Sequence, residues 1–374
     1  MNTIHESGIR EYLRGLLPNA RIRLGLLSNP LAKTNWQSVG HGKLAALLPE
    51  RDACRETPSL GTLVPALEDL LFRHGVNVLV VNGGDGTIHH TLNAAIDVVD
   101  RASTQVGERV SLPLFLFVNG GGMNMLARVF GTRGHPVRTL RRFLAKTRGA
   151  RVGTLHKRAV PLLAVDTPED EPRYGYIFGS ELVFNALTMY ERFGQGYPGL
   201  ARFLYEVGAG WMFRTELWHR YGHLLDAPET PLAFHDSAGR VDHFPRYTSV
   251  VATTVPLQLV KGLVAPVRHT ASPGGMSVVA VLPVDKGEVI QKIPSLMLGA
   301  DSEGLVYRSD VKAIDLHGAF TLDGERYVRR EAALVATAEG AGNAGSGVGD
   351  ALTAIKHAPL TVRGTERVVW GVSL

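Results

Sequence analysis

Apolar and polar positions fall into blocks along the first 150 residues, and each block predicts an element. RIRLGLLSNP, from Arg21, is an apolar run stopped by Asn29-Pro30, the pattern of a buried strand that ends in a loop. Residues 60–75 (LGTLVPALEDLLFRHG) space Leu63, Leu67, Leu70 and Leu71 along one helix face and stop at Gly75. VNVLVV at 76–81 is short, apolar and β-branched, so it predicts a strand. NGGDGT follows at once, and IHHTLNAAIDVV then resumes helical spacing. The unit recurs as a strand, LPLFLFV at 112–118, a turn, NGGG at 119–122, and a helix start, MNMLARVF. Strands alternating with helices imply a parallel sheet, with function in the loops that follow the strands' C-terminal ends.

Beyond Arg151 the texture changes. AVPLLAV, YGYIFGS, YTSVVATTV, MSVVAVLPV and AIDLHGAFTL are short β-like stretches separated by turn residues, so the second half is expected to be β-rich. A helical interruption at roughly 183–213 carries Phe184, Met189, Tyr190, Phe193, Phe203, Leu204, Trp211 and Phe213. Two readings of it stand side by side, core packing and a lipid-binding wall. EGAGNAGSGVG at 339–349 reads as a flexible linker before a last segment. The expected division is therefore an α/β domain at 1–150, a β-rich domain at 151–338, and the linker with its C-terminal segment at 339–374.

Composition changes the picture in three places. Hydrophobic residues at 45% and charged residues at 20% exclude a largely disordered chain. The single cysteine, Cys54, excludes an intrachain disulfide framework and a Cys-based zinc cluster. A net charge of +5 with pI near 9.3 favours an anionic partner, whether nucleotide, nucleic acid or membrane surface. No apolar run reaches the ~18 residues that cross a bilayer, and the first twenty residues hold Glu6, Arg10, Glu11 and Arg14 where a signal peptide would be apolar. The expectation is a cytoplasmic protein with, at most, peripheral membrane contact. A basic run at Arg138, Arg141, Arg142, Lys146, Arg148 and Arg151 is either an ordinary solvated helix face or the electrostatic part of that contact.

GGDGT at 83–87 is the strongest chemical signal. A strand feeding a glycine turn into a helix points backbone N–H groups outward, and Gly83, Gly84 and Gly86 let the main chain approach phosphates closely. Asp85 among phosphates would be repulsive unless a divalent cation intervened, so it suggests Mg²⁺-nucleotide; its plainer reading is a turn in which Asp caps the helix. Asn119, Gly120, Gly121 and Gly122 form a second such turn, placed to share one nucleotide. Asp323-Gly324, between AFTL and RYV, is by itself a strong hairpin signal.

Asn29-Pro30, GGDGT at 83–87, GGMNMLAR at 121–128 and LDGE at 322–325, in that order and spacing, resemble the diacylglycerol kinase catalytic family. That family includes bacterial lipid kinases and sphingosine kinases and is more distantly similar to NAD kinase and phosphofructokinase. The resemblance, over roughly 21–335, implies an α/β nucleotide domain, a β-sandwich domain and an active site in the cleft between them. It implies that Asn29, Pro30 and Lys33 form the first nucleotide loop, that Thr57 follows the second strand, that Gly83, Gly84, Asp85, Gly86 and Thr87 hold phosphates, and that Gly121, Gly122 and Asn124 form the third loop. Glu325 matches the family's general base, with Asp323 beside it; Asp85 and Asp323 are the candidate Mg²⁺ ligands. The implied reaction is transfer of the γ-phosphate of ATP, with Mg²⁺, to the hydroxyl of diacylglycerol or a related lipid at a membrane surface, with no nucleic acid involved.

Two departures matter. Gly122 stands where the family usually has Thr, removing one hydroxyl expected to contact nucleotide, and ASPGGMSVV at 271–279 lacks the acidic residues of a structural Mg²⁺ motif. These keep two rivals in view, an NAD kinase-like enzyme with a soluble acceptor and a nucleotide-binding regulator without turnover. Other patterns carry nothing. GAGNAG at 340–345 leaves too little chain for a dinucleotide fold, GHGK at 40–43 lacks the flanks of a Walker loop, and His219, His223, His89 and His90 lack a third ligand at metal spacing.

Overall fold

The computed structural model describes residues 5–32, 35, 41–49, 51–168, 170–190, 193, 197–221, 229–256, 274–283, 291, 304–327 and 359–372. The chain forms two compact units. One comprises Met1–Val160 together with Val368–Leu374, the other Pro161–Arg367.

The first unit is built on a parallel sheet. Strands β1 (Leu24–Ser28), β2 (Cys54–Glu56), β3 (Val78–Gly83) and β4 (Leu114–Asn119) pair in the order β4-β3-β1-β2, and the last strand of the chain, β15 (Pro359–Val372), joins β4 through Gly371 opposite Phe115. Helices α1 (Glu6–Gly15), α2 (His41–Ala45), α3 (Leu63–Glu68), α4 (Asp85–Val106), α5 (Met125–Val129) and α6 (Pro136–Lys146) belong to the same unit. Leu26, Val78, Val80, Leu116 and Val118 pack with Leu44 of α2 and with Leu140 and Phe143 of α6. The alternate residues Leu27, Leu79, Val81, Phe115 and Phe117 are equally buried, so both sheet faces are covered. Burial on both sides explains why these strands read as continuous apolar runs.

The expected helix over 60–75 begins with a 3₁₀ turn at Leu60–Thr62, runs as α3, and widens into a π turn at Asp69–Arg73. Val76 N–H bonds Leu70 O at 3.0 Å, and Gly75 takes a left-handed φ of 61° to turn the chain into β3. The segment after 349, which the hydrophobic pattern left without an element, contains the 14-residue β15. The glycine-rich stretch 339–349 lies outside the described residues.

The second unit is strand-rich and antiparallel. It holds β5 (Lys157–Asp166), β6 (Arg173–Gly175), β7 (Ile177–Ser180), β8 (Thr230–Asp236), β9 (Val241–Tyr247), β10 (Ser249–Thr253), β11 (Met276–Val281), β12 (Leu305–His317), β13 (Phe320–Leu322), β14 (Glu325–Tyr327) and most of β15, with β5 entering from the first unit. One layer runs β14-β13-β7-β10-β11-β12. The 13-residue β12 then changes neighbours: its first half pairs β11, its second half pairs β15, and β8 pairs it from Val311 to Asp315. A register irregularity between Val311 and Ala313, next to Asp310 at φ 59°, marks where the strand passes from one layer to the next. Phe178, Val250, Ala252, Met276 and Val278 of the first layer close a core with Leu232, Phe234, Leu316, Leu360 and Val362 of the second.

Three helices, α7 (Leu182–Tyr190), α8 (Tyr197–Phe213) and α9 (Glu216–Tyr221), share a small core of Met189, Phe203, Val207 and Trp218, and α7 also lies against β7, β10 and β13. The bulky residues of this region do not share one role. Tyr190, Phe193, Leu204 and Trp211 pack against that core, whereas Phe213 is 72% exposed, as is Tyr205 at 73%.

Candidate functional site

Loops after β1, β2, β3 and β4 gather at one end of the parallel sheet, where the register brings Ser28, Glu56, Asn82 and Val118 level. Asn29 N–H donates to Asn82 O at 3.0 Å, and its Oδ1 accepts from Leu31 N–H at 2.9 Å, the turn that lets the chain leave β1. Its Nδ2 donates to Thr87 Oγ1 at 3.0 Å, so the first loop is tied directly to the GGDGT turn. Pro30 follows in that turn. Thr57 N–H donates to Ser28 O at 2.9 Å and brings the β2 loop alongside. Lys33 lies outside the described residues.

Two residues that the sequence reading passed over hold this corner together. Asn35 Nδ2 donates to Asn29 O at 2.7 Å and to Asn82 O at 3.2 Å, and fully buried Asn82 returns a bond from Nδ2 to Asn35 Oδ1 at 2.9 Å. A polar residue closing the apolar run VLVV was the available signal for Asn82, because a buried amide must find partners.

The two glycine turns pack against each other, backbone on backbone. A Cβ on Gly121 would run into Gly84 Cα, and one on Gly120 would come within 2.7 Å of Gly83 N. A Cβ on Gly83 would strike the Thr87 side chain. Glycine is therefore required first for loop-to-loop contact, a stricter demand than open approach to a ligand. Gly84 is the extended residue before α4, with no side-chain cap, and Gly86 is the helix's second residue. The N–H groups of Asp85, Gly86 and Thr87 have no intrahelical acceptor, so a 22-residue helix presents its positive end at the turn. In the second turn Asn124, at a left-handed φ of 52°, accepts from Gly121 N–H through Oδ1 at 2.9 Å and donates through Nδ2 to Gly121 O at 2.8 Å. Gly122 sits exposed at the outer side of that ring.

Asp85 joins the turns. Its Oδ2 accepts from Met125 N–H at 3.1 Å and its Oδ1 from Leu126 N–H at 2.8 Å. The carboxylate thus caps α5 from the first turn of α4, where the dipoles of both helices favour its charge.

In the second unit β13 and β14 form the hairpin, with Leu322 paired to Glu325 and a two-residue loop of Asp323 (φ 56°) and Gly324 (φ 89°), the left-handed pair of a type I′ turn. Asp323 is 4% exposed, and its Oδ1 accepts from Tyr176 N–H at 2.9 Å and Ile177 N–H at 3.0 Å. Asp323 N–H donates in turn to Ile177 O at 2.8 Å, which fastens the tip to the start of β7. Glu325, half-buried, and Tyr327 share a face of β14 by the two-residue repeat. Tyr327 stacks on Phe320 at 5.2 Å between ring centroids, with the Arg173 guanidinium 5.4 Å from its own. Burial, with Glu325 and Asp323 adding to it and Arg173 opposing, pushes the Tyr327 phenol up to about 12. Burial, then Asp323, likewise holds the Tyr176 phenol well above its ordinary range.

Among the described residues no three His, Cys, Asp or Glu side chains group closely enough to hold a metal ion. Asp85 and Asp323, expected as Mg²⁺ ligands, turn carboxylate oxygens onto backbone N–H groups, the arrangement of a cap rather than a cation cage. Among the described residues, these two carboxylates form no ready cage for a resident Mg²⁺. His89 is buried and stacks edge-on against His90 at 5.2 Å, while His219 is exposed.

A parallel sheet whose paired glycine turns meet a helix N-terminus is an α/β unit that gathers its loops at the positive end of a helix dipole. Residues 24–155 match the model of the Diacylglycerol kinase catalytic domain, and the resemblance read from the motifs is borne out by this segment. A structure of a proposed diacylglycerol kinase from Bacillus anthracis aligns over 94% of this chain and 97% of its own, at 14% identity and TM-score 0.56. A structure titled as a diacylglycerol kinase from the same organism aligns over the same shares at 12% identity and TM-score 0.54. These likenesses bear out the expected fold, an α/β part followed by a strand-rich part. No curated protein matches the chain, and no described helix is long and apolar enough to cross a membrane.

Proposed function

We propose that the protein is an ATP-dependent lipid kinase that transfers the γ-phosphate to the hydroxyl of diacylglycerol or a similar amphiphile. The observation that carries this reading is the packing of the two glycine turns at the N-terminus of α4, inside the segment that matches the kinase catalytic domain. Backbone N–H groups there meet the phosphates, Asn29 and Thr87 hold the first loop against the turn, and Asn124 holds the second. Phosphoryl transfer needs positioning and charge stabilisation more than covalent participation. A helix N-terminus and two preset loops supply both.

Asp85 and Asp323 are positioning residues in this reading. Mg²⁺ belongs to the substrate, arriving with the ATP phosphates. Glu325 takes the acceptor's proton: the hydroxyl oxygen bonds to the γ-phosphorus, the bond from that phosphorus to the ADP oxygen breaks, and the proton passes to the Glu325 carboxylate. Incubation with γ-labelled ATP and a total lipid extract, followed by identification of the labelled product, tests the assignment. Label in a phospholipid supports it. Label in NAD supplied as a competing acceptor, or ATP binding without transfer to either pool, would replace it with one of the two rivals.

A further inference from the structure

From Arg109 to Val165 the chain has no Asp or Glu and carries eleven Lys and Arg. Helix α6 lies in this stretch, with Pro136, Thr139, Leu140 and Phe143 buried and Arg138, Arg141, Arg142 and Lys146 exposed in one stripe at i, i+3, i+4 and i+8. Several exposed arginines elsewhere have carboxylates, as in Arg10 with Glu6, Arg23 with Glu11, Arg101 with Glu68 and Arg240 with Asp236. The four cations of α6, and Arg148 after it, have no acidic partner among the described residues. Like charges one helical turn apart repel, so the stripe weakens the isolated fold and is relieved by an external anion.

What lies beside the stripe narrows the kind of anion. Gly153 N–H bonds Pro18 O at 2.8 Å and Arg21 bridges to Arg151, which sets the Leu17-Pro18 turn next to the basic segment. Leu17 is 52% exposed. Trp370, two residues from the buried Val372 that packs with Leu140 and Phe143, shares its sheet face and is 46% exposed. Because Gly371 stands opposite Phe115 near the start of β4, Trp370 lies at the same end of the strands as the turn before β1. Cations with an exposed Leu and Trp fit a bilayer interface.

We propose that the α6 stripe, with Leu17 and Trp370, docks the protein on an anionic phospholipid surface. The proposal rests on the lipid kinase reading only for its purpose. Its test is sedimentation of the full chain with phosphatidylcholine vesicles, with and without one third phosphatidylglycerol, between about 0.05 and 0.5 M salt. Binding is expected on the anionic vesicles alone and falls with salt. Arg138→Gln, Arg141→Gln, Arg142→Gln and Lys146→Gln together should weaken it ~10²-fold or more. The same exchange at the paired Arg10, Arg23, Arg101 and Arg240 removes equal charge and should change it under about threefold. Leu17→Asp, a single exposed change, should weaken binding too and serves if the fourfold variant fails to fold. Equal losses from both fourfold sets, equal binding to neutral vesicles, or tighter binding to polyuridylate than to vesicles of equal phosphate content would overturn the proposal. Docking without lipid phosphorylation would sink the kinase reading alone; phosphorylation without docking would sink this one alone.

Discussion

Replacing Asp85 with Asn separates two accounts of this residue. The carboxylate receives N–H groups from Met125 and Leu126, one on each oxygen. Asn keeps one acceptor and presents an NH₂ to the other donor, so one charge-assisted bond becomes a donor-donor contact. A hydrogen bond to a charged group contributes about 1.5–3 kcal/mol, reduced here because the group is only half-buried, which leaves a loss of about 2 kcal/mol. For a unit of this size that corresponds to a fall of ~4–8 °C in Tm. The start of α5 would loosen, and with it the second glycine turn. ATP affinity measured by calorimetry should therefore fall about tenfold in Asp85→Asn, and by the same factor in EDTA and in excess Mg²⁺. If the loss appeared only with Mg²⁺ and Tm stayed within 1 °C, Asp85 would be a metal ligand and the capping argument would be wrong.

Four further outcomes are expected. Glu325→Gln should lower kcat by ~10²–10⁴ with ATP affinity unchanged, and near-normal kcat in a folded variant would end its assignment as base. Gly324→Ala has room for the methyl but must hold φ 89°, so urea unfolding should show a loss of about 1–2 kcal/mol; no loss would mean the turn is not type I′ in solution. Gly121→Ala, whose Cβ meets Gly84 Cα, should cost about 1–3 kcal/mol in stability and most of the nucleotide affinity, and unchanged ATP titration would contradict the loop packing. Because the folded Tyr327 phenol keeps its proton to about 12 while an unfolded one releases it from 10.0, stability should decline as pH rises through that window. Urea midpoints across the window should fall less steeply in Tyr327→Phe; identical slopes would remove the residue from the account.

Where burial on both faces makes a strand uniformly apolar, the sequence shows it directly, and β1, β3 and β4 were legible for that reason. The glycine turns were legible because nothing else fits between Gly84 and Gly121. Legibility failed where partners are remote in sequence. β15 pairs β12 through contacts some fifty residues away, and its composition alone does not announce a strand. Asn35 and Asn82 stabilise the β1 loop across forty-seven residues, a distance at which no local pattern connects them. The left-handed Asp310 and the passage of β12 between layers likewise depend on neighbours that only the folded unit supplies.

The acidic residues show why composition misleads about roles. The Asp in the glycine turn was assigned to a cation because a carboxylate near phosphate is costly by itself, and the Asp in the hairpin because the family resemblance implied it. In each case the structure removes that cost differently. Asp85 lies against the N-terminus of α5 and in the first turn of α4, where four otherwise unsatisfied N–H groups per helix make a negative charge favourable. Asp323 satisfies Tyr176 and Ile177 N–H at the start of β7, and in doing so it fixes the hairpin tip that carries Glu325. A carboxylate neutralised by backbone donors can stand close to a phosphate site without an ion of its own. On the lipid kinase proposal, charge stabilisation then falls to the α4 N–H groups and to the cation that travels with the nucleotide, and the geometry of Glu325 depends on Asp323 more than on any metal. Asp323→Asn should accordingly lower kcat through Glu325 and restore nothing when Mg²⁺ is raised; recovery at high Mg²⁺ would show that Asp323 holds the ion after all.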